Sequence, residues 1–240
     1  MIVNYNIIKK SSSKFRMEHG LGEKDPINIK SLLIKLKVLA IFKPIKSDFS
    51  GMAIRTDYLR FLLINSNNSI GRQNYTVIHE LYHLFVQENF NSSICYSESN
   101  KKNTIDKIAE SFASVTLLPE QGVLDMIPDQ EIQKNKISVG TILEMEHYFM
   151  CSRAALLSRL KSLLLIDDQK YSEYNRDIIR DAEVYGYDIS LYKPGNHNLV
   201  IGDYGKLAKI LFDKNAISES HYMSLMNDIG VAIGLEENYK

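Results

Sequence analysis

The feature that most constrains this chain is a His-Glu-x-x-His pattern, His79-Glu80-Leu81-Tyr82-His83, inside an apolar stretch of helical length. Residues four positions apart lie on one face of a helix, about 6 Å apart along its axis. That separation lets two imidazoles bind a single ion. Glu80 follows the first histidine, where it can hold and deprotonate a zinc-bound water instead of ligating the metal. The pattern predicts a helix that carries a zinc hydrolase site.

The composition is that of an ordinary globular chain. At 240 residues the chain is long enough for one sizeable domain or two small ones. Its formal net charge is zero, so we expect no direct binding to nucleic acid and none to a membrane surface. The N-terminus lacks the apolar stretch of a signal peptide, and Cys95 and Cys151 form no C-x-x-C pair. We therefore expect a cytoplasmic protein whose cysteines are reduced.

The two histidines need a third ligand, because a catalytic zinc usually has three protein ligands and a water. A predicted helix that begins at Thr104 offers Asp106 and Glu110, which share one face. The apolar side of this helix would pack on the motif helix and bring a carboxylate to the metal. Asp106 is the predicted ligand and Glu110 the alternative. The competing interpretation of Asp106 is structural, because a carboxylate in the first turn of a helix is stabilised by the helix dipole. The other carboxylate would orient a ligand histidine.

A hydrogen-bond donor is also expected near the site, to stabilise the oxyanion that forms during hydrolysis. Tyr82 and His147 are the candidates that we carry forward as oxyanion or cleft residues. Packing is the competing interpretation of Tyr82, because its side chain points about 60–100° around the helix from either histidine. Cys95 is conceivable as a fourth ligand, but nothing in the sequence supports that role.

Three stretches of the chain carry a more specific pattern: Arg72–His83, Asp106–Ala113 and Leu117-Leu118-Pro119. Together they resemble the ImmA/IrrE family of metallo-endopeptidases, which shows R-x-x-F-T-x-A-H-E-L-G-H, a later E-x-x-A-N-x-F-A, and L-L-x-P. The stretch Phe149–Leu160 is similar to the family segment F-x-V-S-x-x-A-x-x-x-R-L. Three departures from the pattern bear on the site. Asp106 replaces the ligand glutamate, Glu110 replaces the asparagine, and Tyr82 replaces a glycine.

The resemblance implies a zinc-dependent endopeptidase that hydrolyses a peptide bond in a regulatory protein, such as a cognate helix-turn-helix transcriptional repressor. Mn²⁺ or Fe²⁺ could use the same ligands as Zn²⁺. The alternative is a non-catalytic metal-binding partner or an antitoxin-like binding module. The sequence does not determine the oligomeric state.

Hydrophobic patterns predict an α+β fold that is mainly helical. A small three-stranded sheet should back the motif helix, with strands at Val38–Phe42, Gly51–Ile54 and Phe61–Asn65. A helix-turn-helix-like pair should follow, with its basic residues Arg153, Arg159 and Lys161 facing solvent. The expected regions are a lead-in segment (1–27), a zinc metallopeptidase core (28–130), the helix-turn-helix-like unit (131–168) and a mixed C-terminal extension that could dock a partner (169–240).

Overall fold

The computed structural model describes residues 5–96 and 104–231, which form an α+β fold with more helix than strand. The α-helices in these ranges are α1 Tyr5–Glu18, α2 Ile29–Lys35, α3 Ile70–Phe85, α4 Thr104–Leu117, α5 Glu120–Asp125, α6 Val139–Phe149, α7 Arg153–Ser162, α8 Asp168–Tyr174, α9 Ile178–Val184, α10 Tyr204–Asp213 and α11 Glu219–Asp228. A short 3₁₀ helix covers Ile189–Tyr192. The strands are β1 Leu39–Lys43, β2 Phe49–Arg55, β3 Arg60–Asn65, β4 Ser92–Tyr96 and β5 Val200–Ile201.

The described strands form one mixed sheet in the order β4-β2-β3-β1-β5. β1 and β3 are parallel, and the other pairs are antiparallel. The three predicted strands are present, but the prediction of a three-stranded sheet was wrong, because β4 and β5 extend it at both edges. β4 lies in a serine-rich stretch with only a weak strand pattern, and β5 is two residues long. Pairing with β2 and β1, rather than local sequence, gives these two segments their strand conformation.

The segment predicted as a lead-in contains a 14-residue helix, α1, that packs against α4. Its buried face includes Ser12 and Arg16 beside the apolar Ile8 and Phe15. Arg16 Nη1 donates to the Thr116 carbonyl at 2.5 Å, and Nε donates to the Gly22 carbonyl at 2.8 Å. Because two of the buried positions are polar, the sequence lacks the regular spacing of apolar residues by which an amphipathic helix is recognised.

Helix α3, which carries the His-Glu-x-x-His pattern, packs against β2 and β3 and against α4. Ser69 is its N-cap, and the Ser69 side chain accepts a hydrogen bond from the Arg72 amide. The first turn also lies close to the start of α7. A Cβ added to Gly71 would lie 2.7 Å from the Cys151 carbonyl carbon and from the Ser152 nitrogen.

The helix-turn-helix-like pair occurs where it was predicted, as α6 and α7. Met150 adopts a left-handed conformation between the helices, and Ser152 caps α7 through the Ala155 amide. The prediction that the basic residues face solvent was wrong for Arg153 and Arg159, which are each 1% exposed. Both guanidinium groups bind acceptors inside the protein, and Arg159 Nε donates to the Leu118 carbonyl at 2.9 Å. The role of these two arginines is therefore structural, because they bond to backbone and side-chain groups inside the protein.

The extension after α7 contacts the rest of the described chain up to strand β5. This strand pairs with β1 at the sheet edge. Helices α10 and α11 then form a hairpin in which the Phe212 and Tyr222 rings stack with centroids 4.8 Å apart. Among the helices described, none has the length and apolarity needed to cross a membrane.

We predict that Gly71→Ala destabilises the protein by about 1–3 kcal/mol, because the new methyl group meets backbone atoms that cannot rotate away. The measurement is urea unfolding. Gly205→Ala is the matched control, since its Cβ would lie 3.6 Å from its nearest described neighbour and alanine favours a helix. An equal effect of the two substitutions would contradict close packing between α3 and α7.

Candidate active site

The two motif histidines lie next to each other on the buried face of α3. His79 is 3% exposed and His83 is 2% exposed, and their Nε2 atoms are 3.3 Å apart. Two nitrogens bound at 2.0–2.1 Å to one tetrahedral zinc would be about 3.4 Å apart. The histidines therefore have the spacing that a shared metal ion requires.

Asp106 lies beside this pair. Ligand atoms of His79, His83 and Asp106 all lie within 4.8 Å of one another. Asp106 is in the first turn of α4, and the packing of α4 on α3 directs it towards the histidines. Glu110, one turn further along, instead lines a larger cleft next to His79. The donor set of two imidazoles and one carboxylate suits a catalytic zinc.

The orientation of His83 also suits metal binding. Its Nδ1 lies 2.5 Å from Gln87 Oε1, and a carbonyl oxygen can only accept a hydrogen bond. Nδ1 therefore donates, which leaves the lone pair of Nε2 directed towards His79. Burial lowers the pKa of His83, although Gln87 and Asp106 oppose this shift. The neutral imidazole, which is the form that binds metals, is thereby favoured.

Glu80 is completely buried beside the histidines. Its Oε2 accepts a hydrogen bond from the Ser93 hydroxyl at 2.8 Å, while Oε1 has no hydrogen-bond partner within residues 5–96 and 104–231. Burial raises the pKa of Glu80 to about 8, the Ser93 hydroxyl opposes the shift, and the Asp106 carboxylate adds to it. In the metal-free site the Glu80 carboxyl group therefore keeps its proton at neutral pH.

The edge strand β4 contributes Ser93, which the sequence did not indicate, and Cys95, which the sequence offered only as an unsupported fourth ligand. Ser93 and Cys95 are two positions apart, and they pair with Ala53 and Gly51 of β2. Ligand atoms of His79, Glu80 and Cys95 lie within 4.8 Å of one another. The alternation of the strand could have indicated these residues, but only if β4 had been recognised as a strand.

Gly51 allows the sheet to approach the helix at this point. A Cβ on Gly51 would lie 2.6 Å from Thr76 Cγ2 and 3.4 Å from Glu80 Oε1. A larger residue would collide with the Thr76 side chain, so either that side chain or the strand would have to shift. The glycine thus permits close contact between β2 and α3 beside Glu80.

A cleft of about 940 Å³ opens from His79 and Cys95 towards α7 and α9. Tyr75 lines it, and its hydroxyl donates to the Glu110 carbonyl at 2.8 Å. Burial raises the pKa of Tyr75, so its hydroxyl stays protonated. The cleft therefore begins at the histidines and is large enough to hold several residues of a polypeptide.

The two candidate oxyanion residues occupy different surroundings. The Tyr82 ring packs on Phe112, with ring centroids 5.4 Å apart, and it also meets the His83 ring edge-on at 5.6 Å. His147 stacks on Tyr187 at 4.7 Å. Neither is among the described residues that line the cleft. Tyr192 does line it and donates to Glu146 Oε2 at 2.7 Å, a role that no pattern in the sequence had indicated.

Comparison with known protein families agrees with this arrangement. Residues 36–161, a little over half of the chain, match the model of the Peptidase_M78 family, described as the IrrE N-terminal-like domain. The matched range contains α3, α4 and the described cluster of His79, His83 and Asp106. No curated protein matches the chain.

We predict that the metal-free protein loses stability as the pH rises from 4.5, the ordinary pKa of glutamate, towards the raised pKa of about 8 for Glu80. In this window the folded state holds a proton that the unfolded state has released, so a higher pH favours unfolding. Glu80→Gln cannot titrate and should remove this contribution. Urea unfolding of both proteins in chelator, across this window, measures it. Parallel pH profiles would contradict a buried, protonated Glu80.

Proposed function

The chain belongs to the ImmA/IrrE family of peptidases, and on this premise we propose that it is a zinc-dependent endopeptidase. In this proposal His79, His83 and Asp106 hold the metal, and Glu80 is the general base. The convergence of these three ligand groups within 4.8 Å is the observation that carries the proposal. A divalent metal bound there would polarise the scissile carbonyl and lower the pKa of the attacking water.

Glu80 is the residue that moves the proton. Ser93 holds one of its oxygens at 2.8 Å, while Oε1 makes no hydrogen bond to any residue that the structure describes. In the proposed reaction Glu80 takes a proton from the water and then gives it to the leaving amine. The raised pKa of about 8 belongs to the metal-free site, where Glu80 keeps its proton at neutral pH. A cation held by His79, His83 and Asp106 would lower this pKa and favour the carboxylate that accepts the proton.

Asp106 is proposed as the third ligand and Glu110 as the alternative. Asp106 lies in the cluster with both histidines, and the Glu110 side chain lies towards the cleft. The shorter aspartate suffices because α4 packs directly against α3. Zinc is the proposed metal because it favours two imidazoles and a carboxylate with one open position. Mn²⁺ and Fe²⁺ remain the alternatives for this donor set.

We predict that Asp106→Asn weakens zinc binding by more than the roughly 10–100-fold that loss of an outer-shell partner typically costs. Glu110→Gln, the matched control on the same helix, should leave zinc affinity within a few-fold of wild type. Competition with a chromophoric chelator measures both values. The reverse order of effects would assign the ligand role to Glu110.

We further propose that the substrate is a regulatory protein, specifically a helix-turn-helix repressor encoded beside this chain. The resemblance to the ImmA/IrrE family supports this choice, and the cleft next to His79 offers room for an extended segment of such a protein. We propose a cytoplasmic location, which is consistent with two cysteines that form no disulfide within the described residues.

A second candidate function is a non-catalytic metal-binding partner or antitoxin-like module, in which the metal is structural. The position of Cys95 near His79 and Glu80 is the observation that favours it. A thiolate as fourth ligand would close the coordination shell, whereas a catalytic site keeps one position open for water. The two functions differ in whether the loaded protein cleaves its partner.

We predict that the zinc-loaded protein cleaves the neighbouring repressor and that a chelator prevents cleavage. Glu80→Gln should keep bound zinc but lose at least about 10²-fold in rate, because the ligands remain and the base is gone. Gel analysis of the repressor and metal analysis of both proteins provide the measurement. Equal cleavage by Glu80→Gln would rule out this mechanism. A repressor that binds but stays intact would favour the second candidate.

A further inference from the structure

One wall of the cleft comes from a part of the chain that follows the family match. That match ends at residue 161, yet residues of the segment from 175 to 183 line the same cleft as His79. They are Asn175, Asp177, Ile178, Ile179, Arg180 and Glu183. A polypeptide that reaches the histidines through this cleft would therefore contact the C-terminal extension.

Buried polar groups of α6 and α7 hold this wall in place. Arg153 is 1% exposed and forms an ion pair with the fully buried Glu146. The same guanidinium donates to the Tyr174 carbonyl at 2.8 Å and to Asp181 Oδ2 at 3.2 Å. These bonds attach the end of α8 and the middle of α9 to α7. Without them the Tyr174 carbonyl would lose its charged partner, which is costly for buried groups.

A second attachment lies further along the extension. Gln73 of α3 is fully buried, and its Nε2 donates to the Gly195 carbonyl at 3.0 Å. Asn196 Nδ2 in turn donates to Gln73 Oε1 at 3.0 Å. The helix that carries both histidines is thus bonded directly to the segment that follows α9.

The chemistry of this wall points to an apolar partner. Ile178 is half-buried and Ile179 is 40% exposed, at the start of α9. Ala154 and Ala155 of α7 line the same cleft. The charged residues of the wall, among them Arg180 and Glu183, are of both signs, so they give no preference for a charged ligand. An aliphatic side chain in the cleft would remove apolar surface of these isoleucines from water.

We infer that Ile178 and Ile179 form a specificity subsite that binds an aliphatic side chain at one position of the substrate polypeptide. The inference rests on the proposed peptidase function. It assigns the extension up to α9 a role in substrate selection, where the sequence had suggested a separate docking region.

The test is digestion of a proteome-derived peptide library by the full-length, zinc-loaded protein, with cleavage sites read by mass spectrometry. We predict that wild type enriches aliphatic residues at one subsite and that Ile179→Asp loses this enrichment. Cleavage of a peptide selected by wild type should fall about tenfold in kcat/KM, as expected when one apolar contact is lost. Ile179→Val should keep the preference.

Ile34→Asp is the matched control, because Ile34 is an exposed isoleucine on α2 that is not among the described residues lining the cleft. Thermal unfolding should be similar for both aspartate variants, since both side chains are exposed. Unchanged subsite preference in Ile179→Asp, with cleavage intact, would overturn the inference and leave the peptidase function standing. Absence of any cleavage that depends on metal and Glu80 in wild type would overturn both.

Discussion

The burial of α3 between the sheet and α4 is the constraint on which the rest of the structure depends. Val77, Ile78, Leu81 and Leu84 on this helix are at most 1% exposed, and each contributes roughly 1.5–3 kcal/mol by leaving water. The same helix buries polar side chains, each of which costs about 1–3 kcal/mol if it lacks a partner. The apolar gain prevails because the polar groups find partners, among them Ser93 for Glu80 and Gln87 for His83.

The same requirement for partners ties the C-terminal extension to the family-matching region. Gln73, Glu146 and Arg153 are nearly inaccessible to water, and each bonds to a group between Tyr174 and Asn196. A buried ion pair is weak evidence for stability, but it fixes the geometry of the elements that it joins. The position of the cleft wall is thus fixed by these buried polar groups.

Much of the fold could be predicted from the chain alone, because several elements have local signals at their ends. Helices α2, α6 and α7 each begin with a capping side chain that is recognisable by residue type, namely Asn28, Ser138 and Ser152. The missed elements lack such signals. Helix α1 buries Ser12 and Arg16, and strand β4 lies at the sheet edge with alternate residues exposed. Their conformations depend on partners distant in sequence, which no local pattern reports.

The sequence by itself determined the histidine pair and Glu80, because the spacing of side chains on one helix is a local property of the backbone. The choice between Asp106 and Glu110 depends on how α4 is rotated against α3, and only the tertiary structure places Asp106 beside the histidines. Strand pairing likewise decided that Ser93 and Cys95 lie next to Glu80. The position of the C-terminal extension depends on the long-range hydrogen bonds of Arg153 and Gln73. It could not be predicted, since groups so far apart in sequence meet only when the chain is folded.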